Sequence, residues 1–335
     1  MAAAVTILGA GSWGTALAVH LARLGHQVSL WARSADFAAA LVQASENAVY
    51  LPGVAFPGTL TPTGSLEDAC AGTDMAVFVC PSSGIRGLAE TVRPLLREHA
   101  LIVSAAKGVE QETRLTMSAV LEQVLGDDRG GRIAVLSGPS FAREVGVGMP
   151  TAVTAAAPDV SVAEEVQRVF TGQTFRVYTS TDVVGVEVGG AVKNVIAVAA
   201  GVSDGLGFGH NSRAALITRG LAEITRLAVR LGADRQTLSG LSGLGDLVLT
   251  CTGDLSRNRT VGLRLGRGER LEEIVASMKE VAEGVRNTRS VRDLARSVAV
   301  EMPITEQIYE LLYEAKPPRQ VVIDLMTRGL KRETD

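Results

Sequence analysis

A glycine-rich segment near the start of the chain constrains the fold most. Residues 9–14, GAGSWG, follow an apolar run at 5–8 and precede a stretch with helical periodicity that ends at Gly25. In this context Gly9 allows a tight turn, Gly11 lets the backbone approach a pyrophosphate, and Gly14 permits close packing of helix on strand. The start of the helix then offers free N–H groups to an anion. The segment predicts a dinucleotide-binding strand-turn-helix unit; a glycine-rich turn without a ligand is the alternative.

Seven short apolar runs predict a parallel sheet in the first half of the chain. They are continuous rather than alternating, which is typical of strands covered by helices on both faces. The runs are residues 5–8, 27–31, 75–80, 101–104, 133–136, 151–154 and 175–178. After residue 182 helical periodicity dominates. We therefore expect an α/β protein with a Rossmann-type doubly wound dinucleotide-binding domain at 1–180, followed by an all-α substrate and catalytic domain at 181–335.

The end of the second predicted strand indicates which dinucleotide binds. An NAD-binding chain usually carries Asp or Glu about 20 residues after the first glycine, where it binds the ribose 2′-hydroxyl. This chain has Ala32, Arg33 and Ser34 there, with no acid before Asp36. Arg33 and Ser34 suit a 2′-phosphate, so NADPH is favoured and NADH is the alternative. Arg33 as a plain surface charge is the competing interpretation.

An almost wholly apolar stretch at residues 185–201 predicts a buried helix with one ammonium group. Lys193 and Asn194 lie in its middle, and Gly189 and Gly190 lie one turn earlier on the same face. We interpret the missing side chains as room for a ligand that Lys193 and Asn194 would contact; close helix packing is the alternative. Burial lowers the pKa of such a lysine, which suits an acid–base catalyst near neutral pH.

Polar residues also follow two of the predicted strands, where ligands of such sheets bind. Lys107 comes just after the fourth run and is expected to face the crevice. Gly138 and Ser140 follow the fifth run and are suited to a phosphate or polyol. A helix start capped by Ser140 explains the same residues without a ligand.

Two further motifs lie in the helical half. Asp246, between small residues, is suited to orient a catalytic lysine, with a helix cap as the alternative. Arg257 lies between Ser256 and Asn258 and can bind a phosphate with its guanidinium fork, with a surface turn as the alternative.

Composition and charge narrow the function classes. The formal net charge is −3 and charges of both signs are interspersed, which argues against nucleic acid as a partner. Cys70, Cys80 and Cys251 show neither metal-type spacing nor a paired framework, so we expect no metal site and a reducing cytoplasm. No signal peptide is evident, and Lys193 interrupts the most membrane-like stretch, so no stable membrane insertion is expected. The apolar helical half favours a homodimer.

Taken together, these segments resemble the bacterial NAD(P)-dependent glycerol-3-phosphate dehydrogenases along nearly the whole chain. The resemblance is carried by GAGSWG at 9–14, AAKG at 105–108, SGPSFA at 137–142, GAVKN at 190–194, NSRAAL at 211–216, GLGD at 243–246, SRN at 256–258 and EVAEG at 280–284. The first motif is generic, whereas the lysine and arginine motifs in this order are specific.

The resemblance implies reversible reduction of dihydroxyacetone phosphate to sn-glycerol 3-phosphate for glycerophospholipid biosynthesis, with Lys193 as proton donor and acceptor. The substrate contacts that it implies are Lys107, Gly138, Ser140, Asp246, Ser256, Arg257 and Asn258. The cofactor contacts that it implies are Ser12, Trp13, Arg33, Lys107, Ala142, Arg257, Val281 and Glu283.

In the mechanism that we expect, NADPH delivers hydride to the ketone carbon while Lys193 donates a proton. Lys107 stabilises the oxyanion, and Asp246 orients Lys193. Two alternatives stay open. One is a β-hydroxyacid dehydrogenase of similar build, whose substrate carries a carboxylate. The other is a protein that senses NADP without turnover.

Overall fold

The first half of the chain alternates strands and helices, as the apolar runs predict. The computed structural model describes residues 2–126, 131–278, 282–330 and 332–333, so Val281, an expected cofactor contact, lies outside the described residues. The strands are β1 Ala4–Leu8, β2 Gln27–Trp31, β3 Glu46–Asn47, β4 Leu51–Ala55, β5 Leu60–Thr63, β6 Met75–Phe78, β7 Leu101–Ser104, β8 Ile133–Ser137, β9 Thr151–Ala156 and β10 Phe175–Ser180. The helices of this half are α1 Ser12–Arg23, α2 Ala35–Ala44, α3 Leu66–Cys70, α4 Ile85–Val92, α5 Met117–Leu125, α6 Ala142–Gly146 and α7 Val160–Phe170.

Eight strands form one sheet in the order β10-β9-β8-β7-β6-β1-β2-β5, and β3 pairs with β4 separately. Separate hydrophobic cores cover the two faces of the sheet, as expected for a doubly wound fold. The sequence did not predict β5, whose apolar pattern is broken by Pro62; the strand lies at the sheet edge, where proline is tolerated.

The prediction of an all-parallel sheet is wrong at one point, because β9 pairs antiparallel with β8. The connection between them carries only α6, five residues long, which spans about 7.5 Å. A parallel return needs a longer crossover, usually a full helix against the sheet. β10 pairs parallel with β9, so the last two strands run against the other six.

From Val183 onward the described residues form helices and no strand. They are α8 Val183–Gly205, α9 His210–Arg230, α10 Asp246–Thr252, α11 Arg257–Gly266, α12 Leu271–Ser277, α13 Glu283–Ser297, α14 Pro303–Tyr313 and α15 Pro318–Met326. A π-helical turn, Leu241–Gly245, leads into α10. The sequence did not predict α10 or α11, because glycines in and around them obscure the helical period.

Helix α8 is the centre of the helical half. Every residue from Gly185 to Ser203 is buried, which confirms the prediction of a helix covered on all sides. It contacts α9, α10, α11 and α13. By length and composition alone it could cross a membrane, but 89% of its most apolar window is buried inside the protein.

Glycines bring α8 and α11 into close contact. A Cβ atom on Gly201 of α8 would lie 2.0 Å from the carbonyl oxygen of Arg259, and one on Gly262 of α11 would lie 2.0 Å from that of Val198. Any side chain at these two positions would force the helices apart. The crossing therefore holds the first residues of α11 beside the middle of α8, where Lys193 and Asn194 lie.

Candidate active site

The turn after β1 has the geometry that a pyrophosphate requires. Gly9 has φ +134°, in the region that favours glycine. A Cβ atom on Gly14 would lie 1.8 Å from the carbonyl oxygen of Gly9, so only glycine permits this packing of helix on turn. Gly11 is the N-cap of α1 and has no side chain to cap the first turn. A Cβ atom there would meet nothing within 4 Å, so the space beside the N-terminus of α1 is open to a ligand.

Trp13 and Arg33 flank this turn. The indole N–H of Trp13 is buried and finds no hydrogen-bond partner among the described residues. Such a donor costs about 1–3 kcal/mol if left unsatisfied, so it fits a ligand that supplies an acceptor. Arg33 is exposed just past β2, and the Ser34 hydroxyl accepts the Phe37 N–H at 3.3 Å as the N-cap of α2. These residues fit a dinucleotide with its 2′ end at Arg33.

Two lysines share one buried carboxylate at the centre of the site. Lys193 Nζ donates to Asp246 Oδ1 at 2.5 Å and to Thr250 Oγ1 at 2.9 Å. Lys107 Nζ donates to Asp246 Oδ2 at 2.8 Å and to the carbonyl oxygen of Gly138 at 3.0 Å. The Asp246 side chain is 1% exposed and that of Lys193 is 7% exposed. Lys193 points inward, and Asp246 contacts lysines instead of capping a helix.

Burial controls the protonation of Lys193. It lowers the pKa of Lys193 from 10.5 to about 8, with repulsion from Lys107 acting in the same direction and attraction to Asp246 opposing both. Such an amine donates and accepts a proton near neutral pH. With both lysines charged, the cluster carries an excess positive charge and favours an anionic ligand.

Gly189 and Gly190, one turn before Lys193, allow close packing of α8 and do not leave room for a ligand. A Cβ atom on Gly189 would lie 2.5 Å from the carbonyl oxygen of Ser242 in the π-helical turn. One on Gly190 would lie 2.8 Å from Ser137 Oγ and 3.5 Å from Lys107 Cγ. The interpretation of free space for a ligand is therefore wrong, and close packing is correct. At Gly190 the crowded neighbour is Ser137, while the Lys107 stem passes at ordinary van der Waals distance on its way to Asp246.

Gly138 and Ser140 lie at the same edge of the sheet as Lys107. Gly138 has φ +143°, and a Cβ atom on it would lie 2.9 Å from Val153 Cα, so the turn after β8 requires glycine. The hydroxyl of Ser140 donates to the Gly138 carbonyl oxygen at 3.0 Å. Ser140 does not cap α6, whose N-cap is Phe141, so the capping alternative is wrong. Ala142, an expected cofactor contact, is the first residue of α6.

Ser256, Arg257 and Asn258 lie at the start of α11 rather than in a surface turn. Ser256 is its N-cap, accepting the Arg259 N–H at 3.2 Å, and Arg257 is exposed. Asn258 Nδ2 donates to Asn194 Oδ1 at 2.9 Å, which joins α11 to α8 beside Lys193. An arginine at a helix N-terminus, with N–H groups next to it, suits a phosphate.

Glu283 connects the helical half to the sheet. It begins α13, and its carboxylate accepts the N–H of Ser82, in the turn after β6, at 3.3 Å. Burial raises the pKa of Glu283, while Arg257, Lys107 and Lys193 lower it. Glu283 therefore lies within electrostatic reach of all three cations.

Sequence reasoning missed two polar residues of the site. Thr250 accepts from Lys193 and donates to the Asp246 carbonyl oxygen at 2.6 Å. It lies one helical turn after Asp246, so recognition of α10 would have found it. Asn287 Nδ2 donates to the carbonyl oxygen of Lys107 at 2.9 Å, a contact that no sequence spacing indicates.

The cysteines are not part of this chemistry. Cys70 and Cys251 are buried and Cys80 is partly buried, and burial raises the pKa of each thiol, to about 11 for Cys70 and about 12 for the others. Within the described residues, no group of three or more His, Cys, Asp or Glu side chains could hold a metal ion.

Comparison with known proteins covers both halves of the chain. The family profile described as NAD-dependent glycerol-3-phosphate dehydrogenase N-terminus matches residues 4–163, and the profile described as the C-terminus of the same enzyme matches residues 182–323. A relative from Geobacter sulfurreducens, named glycerol-3-phosphate dehydrogenase (NAD(P)+), is 55% identical over 333 residues, 99% of each chain. A relative of the same name from Geobacter metallireducens is 55% identical over 329 residues, 98% of each chain.

A solved structure has the same architecture. The crystal structure of glycerol-3-phosphate dehydrogenase from Coxiella burnetii superposes with a TM-score of 0.93 at 42% identity, over 98% of this chain and 99% of that one. The two profiles and the full-length relatives bear out the resemblance read from the motifs. The chain belongs to the NAD-dependent glycerol-3-phosphate dehydrogenase family.

Proposed function

We infer that this chain catalyses the reversible NAD(P)H-dependent reduction of dihydroxyacetone phosphate to sn-glycerol 3-phosphate, for glycerophospholipid biosynthesis. The observation that carries the inference is a buried acid–base lysine, paired with a carboxylate, at the carboxyl edge of a dinucleotide-binding sheet. The family membership of both halves supports the substrate. The β-hydroxyacid alternative is not favoured, because its substrate carries no phosphate for the start of α11. A sensor without turnover has no use for a lysine with a pKa of about 8.

The proton step belongs to Lys193 in this mechanism. When bound, the reduced nicotinamide supplies the hydride that the ketone carbon accepts. The Lys193 ammonium donates a proton to the carbonyl oxygen, which completes the alcohol, and the resulting amine takes a proton from water for the next cycle. The Lys107 ammonium stabilises negative charge as it develops on that oxygen. Asp246 keeps both ammonium groups in place through its two oxygens.

The phosphate is proposed to bind at the start of α11. Arg257 supplies the charge, and Ser256 and the first N–H groups of the helix supply further donors. Asn258 already donates to Asn194 Oδ1, which leaves the amide N–H groups of Asn194 for substrate. Gly138 and Ser140 complete the proposed substrate contacts. Anchoring the phosphate away from the reacting carbon orients the ketone, an effect worth several kcal/mol in favourable cases.

The cofactor is NADPH, with NADH possible. The proposed contacts for its pyrophosphate are Gly9, Gly11, Ser12 and Gly14, and Arg33 is proposed to bind the 2′-phosphate. Trp13, Lys107, Ala142, Arg257 and Glu283 are proposed to line the rest of its site. The orphaned indole N–H of Trp13 and the open face at Gly11 support this placement.

We also propose a boundary between a dinucleotide-binding domain at 1–180 and a substrate domain at 181–335. It is supported by the end of β10 at Ser180, the start of α8 at Val183, and a separate hydrophobic core whose buried residues, apart from Val109, all follow it. A homodimer in the cytoplasm, without stable membrane insertion, completes the proposal.

One assay tests the reaction. NADPH absorbance should fall with dihydroxyacetone phosphate, and not with 3-oxo acids or without substrate. Lys193→Ala should abolish this turnover while NADPH still binds, because the lysine acts on the proton and not on the nucleotide. Oxidation of NADPH by 3-oxo acids alone would favour the β-hydroxyacid alternative, and near-normal rates in the variant would remove the mechanism.

A further inference from the structure

The first turn of α13 contacts three separate parts of the site. Glu283 accepts the N–H of Ser82 after β6 at 3.3 Å. The N–H of Gly284 donates to Asn258 Oδ1 at 2.9 Å. Asn287 donates to the carbonyl oxygen of Lys107 at 2.9 Å. The start of α13, which carries the proposed cofactor contact Glu283, therefore joins the turn after β6, the proposed substrate contact Asn258 and the second lysine.

Asn287 is tightly enclosed at this junction. It is 1% exposed, and a Cβ atom on Gly108 would lie 3.0 Å from its Oδ1 and 2.6 Å from the side chain of Ser82. The absence of a side chain at Gly108 thus lets Asn287 and Ser82 close over the turn after β7. A buried amide in such a space holds its partner with little freedom.

The hydrogen bond from Asn287 holds the backbone of Lys107, at the opposite end of the residue from its ammonium group. Lys107 Nζ is held by Asp246 and by the Gly138 carbonyl oxygen, and its own carbonyl oxygen is held by Asn287. The stem between these ends passes Gly190. With both ends held, a shift of the backbone moves the ammonium relative to Asp246.

We propose that Asn287 is a positioning residue that sets where the Lys107 ammonium meets Asp246, and that it ties this placement to the seating of the first turn of α13. The inference rests on the proposed function, in which Lys107 stabilises the oxyanion and Glu283 lines the cofactor. Seating of the cofactor against α13 is thereby coupled to alignment of the catalytic cluster.

Loss of the bond has a signature at Lys193. Asp246 from α10 and Lys107 from the turn after β7 act on the pKa of Lys193, and Lys193 in turn lowers the pKa of Cys251 from α10 and of Glu283 from α13. If Lys107 moves away, Lys193 loses a repulsive neighbour and keeps the Asp246 carboxylate to itself. The pKa of Lys193 then rises above its value of about 8. Water admitted by a general loss of packing would also raise this pKa, so the rise is diagnostic when a packing variant on the same helix does not show it.

The test compares Asn287→Leu with Thr288→Val, both close in shape to the natural residue and without added charge. Thr288 is a matched control because it is equally buried on the same helix and its hydroxyl donates only to the Gly284 carbonyl oxygen, at 2.6 Å. We expect Asn287→Leu to lower kcat roughly 10- to 100-fold, as a misplaced catalytic group does. The basic limb of its kcat/KM profile for reduction should move to higher pH. Thr288→Val should change neither.

A second measurement needs neither cofactor nor turnover. The chain has five lysines (Lys107, Lys193, Lys279, Lys316 and Lys331), so selective ¹³C labelling yields few ε-carbon resonances to follow by NMR. The Lys193 titration should shift upward in Asn287→Leu and stay in place in the control. If Asn287→Leu does not fold, Asn287→Ala, which leaves room for water, is measured in the same way.

The outcomes separate the two levels of inference. No reduction of dihydroxyacetone phosphate by the natural chain would overturn the proposed function. A natural chain that reduces it, with Asn287 variants that match Thr288→Val in kcat, pH profile and Lys193 titration, would overturn the role of Asn287 alone. If both variants lower the unfolding temperature and change nothing else, Asn287 is a packing residue, and the proposal is likewise refuted.

Discussion

Replacement of Asp246 by Asn removes the charge that holds the two lysines together while keeping the shape of the side chain. Asp246 is 1% exposed, 2.5 Å from Lys193 Nζ and 2.8 Å from Lys107 Nζ. Removing one partner of a buried ion pair costs about 3–5 kcal/mol in the free energy of unfolding, because a buried charge is left uncompensated. Asp246→Asn should therefore destabilise the protein by an amount in this range at pH 6, below the pKa of Lys193.

The same change should alter the pH dependence in a defined direction. Attraction to Asp246 raises the pKa of Lys193, so its loss lowers that pKa further below about 8. For a lysine with a depressed pKa, stability is lost as pH falls from the unfolded-state pKa of 10.5 to the folded-state pKa, because only the unfolded state takes up the proton in that interval. The deficit of Asp246→Asn in urea unfolding should therefore be larger at pH 6 than at pH 9, where Lys193 is mostly neutral. A drop of one unit lowers the ammonium fraction at pH 8 from about one half to about one eleventh, so kcat/KM for reduction at pH 8 should fall roughly 5-fold.

Asp254→Asn is the control for this experiment. The Asp254 side chain is 97% exposed and pairs with Arg259 at 3.0 Å, and exposed pairs contribute little to stability. It should change neither the unfolding curve nor the rate profile. If the basic limb of Asp246→Asn stays where it is in the natural chain, or moves upward, the assigned role of Asp246 is refuted.

Three further outcomes are expected. Arg33→Ala should raise KM for NADPH roughly 10-fold and leave KM for NADH nearly unchanged, because only NADPH has a 2′-phosphate. Equal changes in the two KM values, measured in initial-rate assays, would contradict this contact. Burial raises the pKa of Glu223 to about 7, although its carboxylate accepts N–H groups at the start of α14. Because the folded state holds this proton more tightly than the unfolded state, the free energy of unfolding of the natural chain should fall by about 3 kcal/mol relative to Glu223→Gln as pH rises from about 4.5 through 7. A pH-independent difference in urea unfolding would show that this carboxylate is not the source. Gly201→Ala places a methyl group against the backbone of α11 and should lower the free energy of unfolding by about 1–3 kcal/mol, measured as a lower Tm. Gly232→Ala is the control: Gly232 has φ +99° and open space around it, so this change tests backbone strain alone.

Local pattern in the sequence determined much of this protein. Neighbouring residues were enough to predict the turn at Gly9–Gly14, the strands at the seven apolar runs and the long buried helix. Turn geometry and the periodicity of burial act over only a few positions. The lysine at 193 was also identified as a buried amine, since its helix offers almost no other polar group. The absence of an acidic residue just after β2 is also local information, and it predicted NADPH as the favoured cofactor.

Tertiary structure alone decided how these parts meet. Lys193 is 53 positions from Asp246, and Lys107 is 139 positions from it, so no spacing predicts that one carboxylate holds both ammonium groups. The purpose of Gly189 and Gly190 was misread because the backbone and side chains that fill the space come from distant segments. The direction of β9 and the contact from Asn287 to Lys107 likewise depend on which elements pack together. Periodicity specifies which face of an element is buried, but the close fit between those faces specifies which distant side chains come within a hydrogen bond of each other.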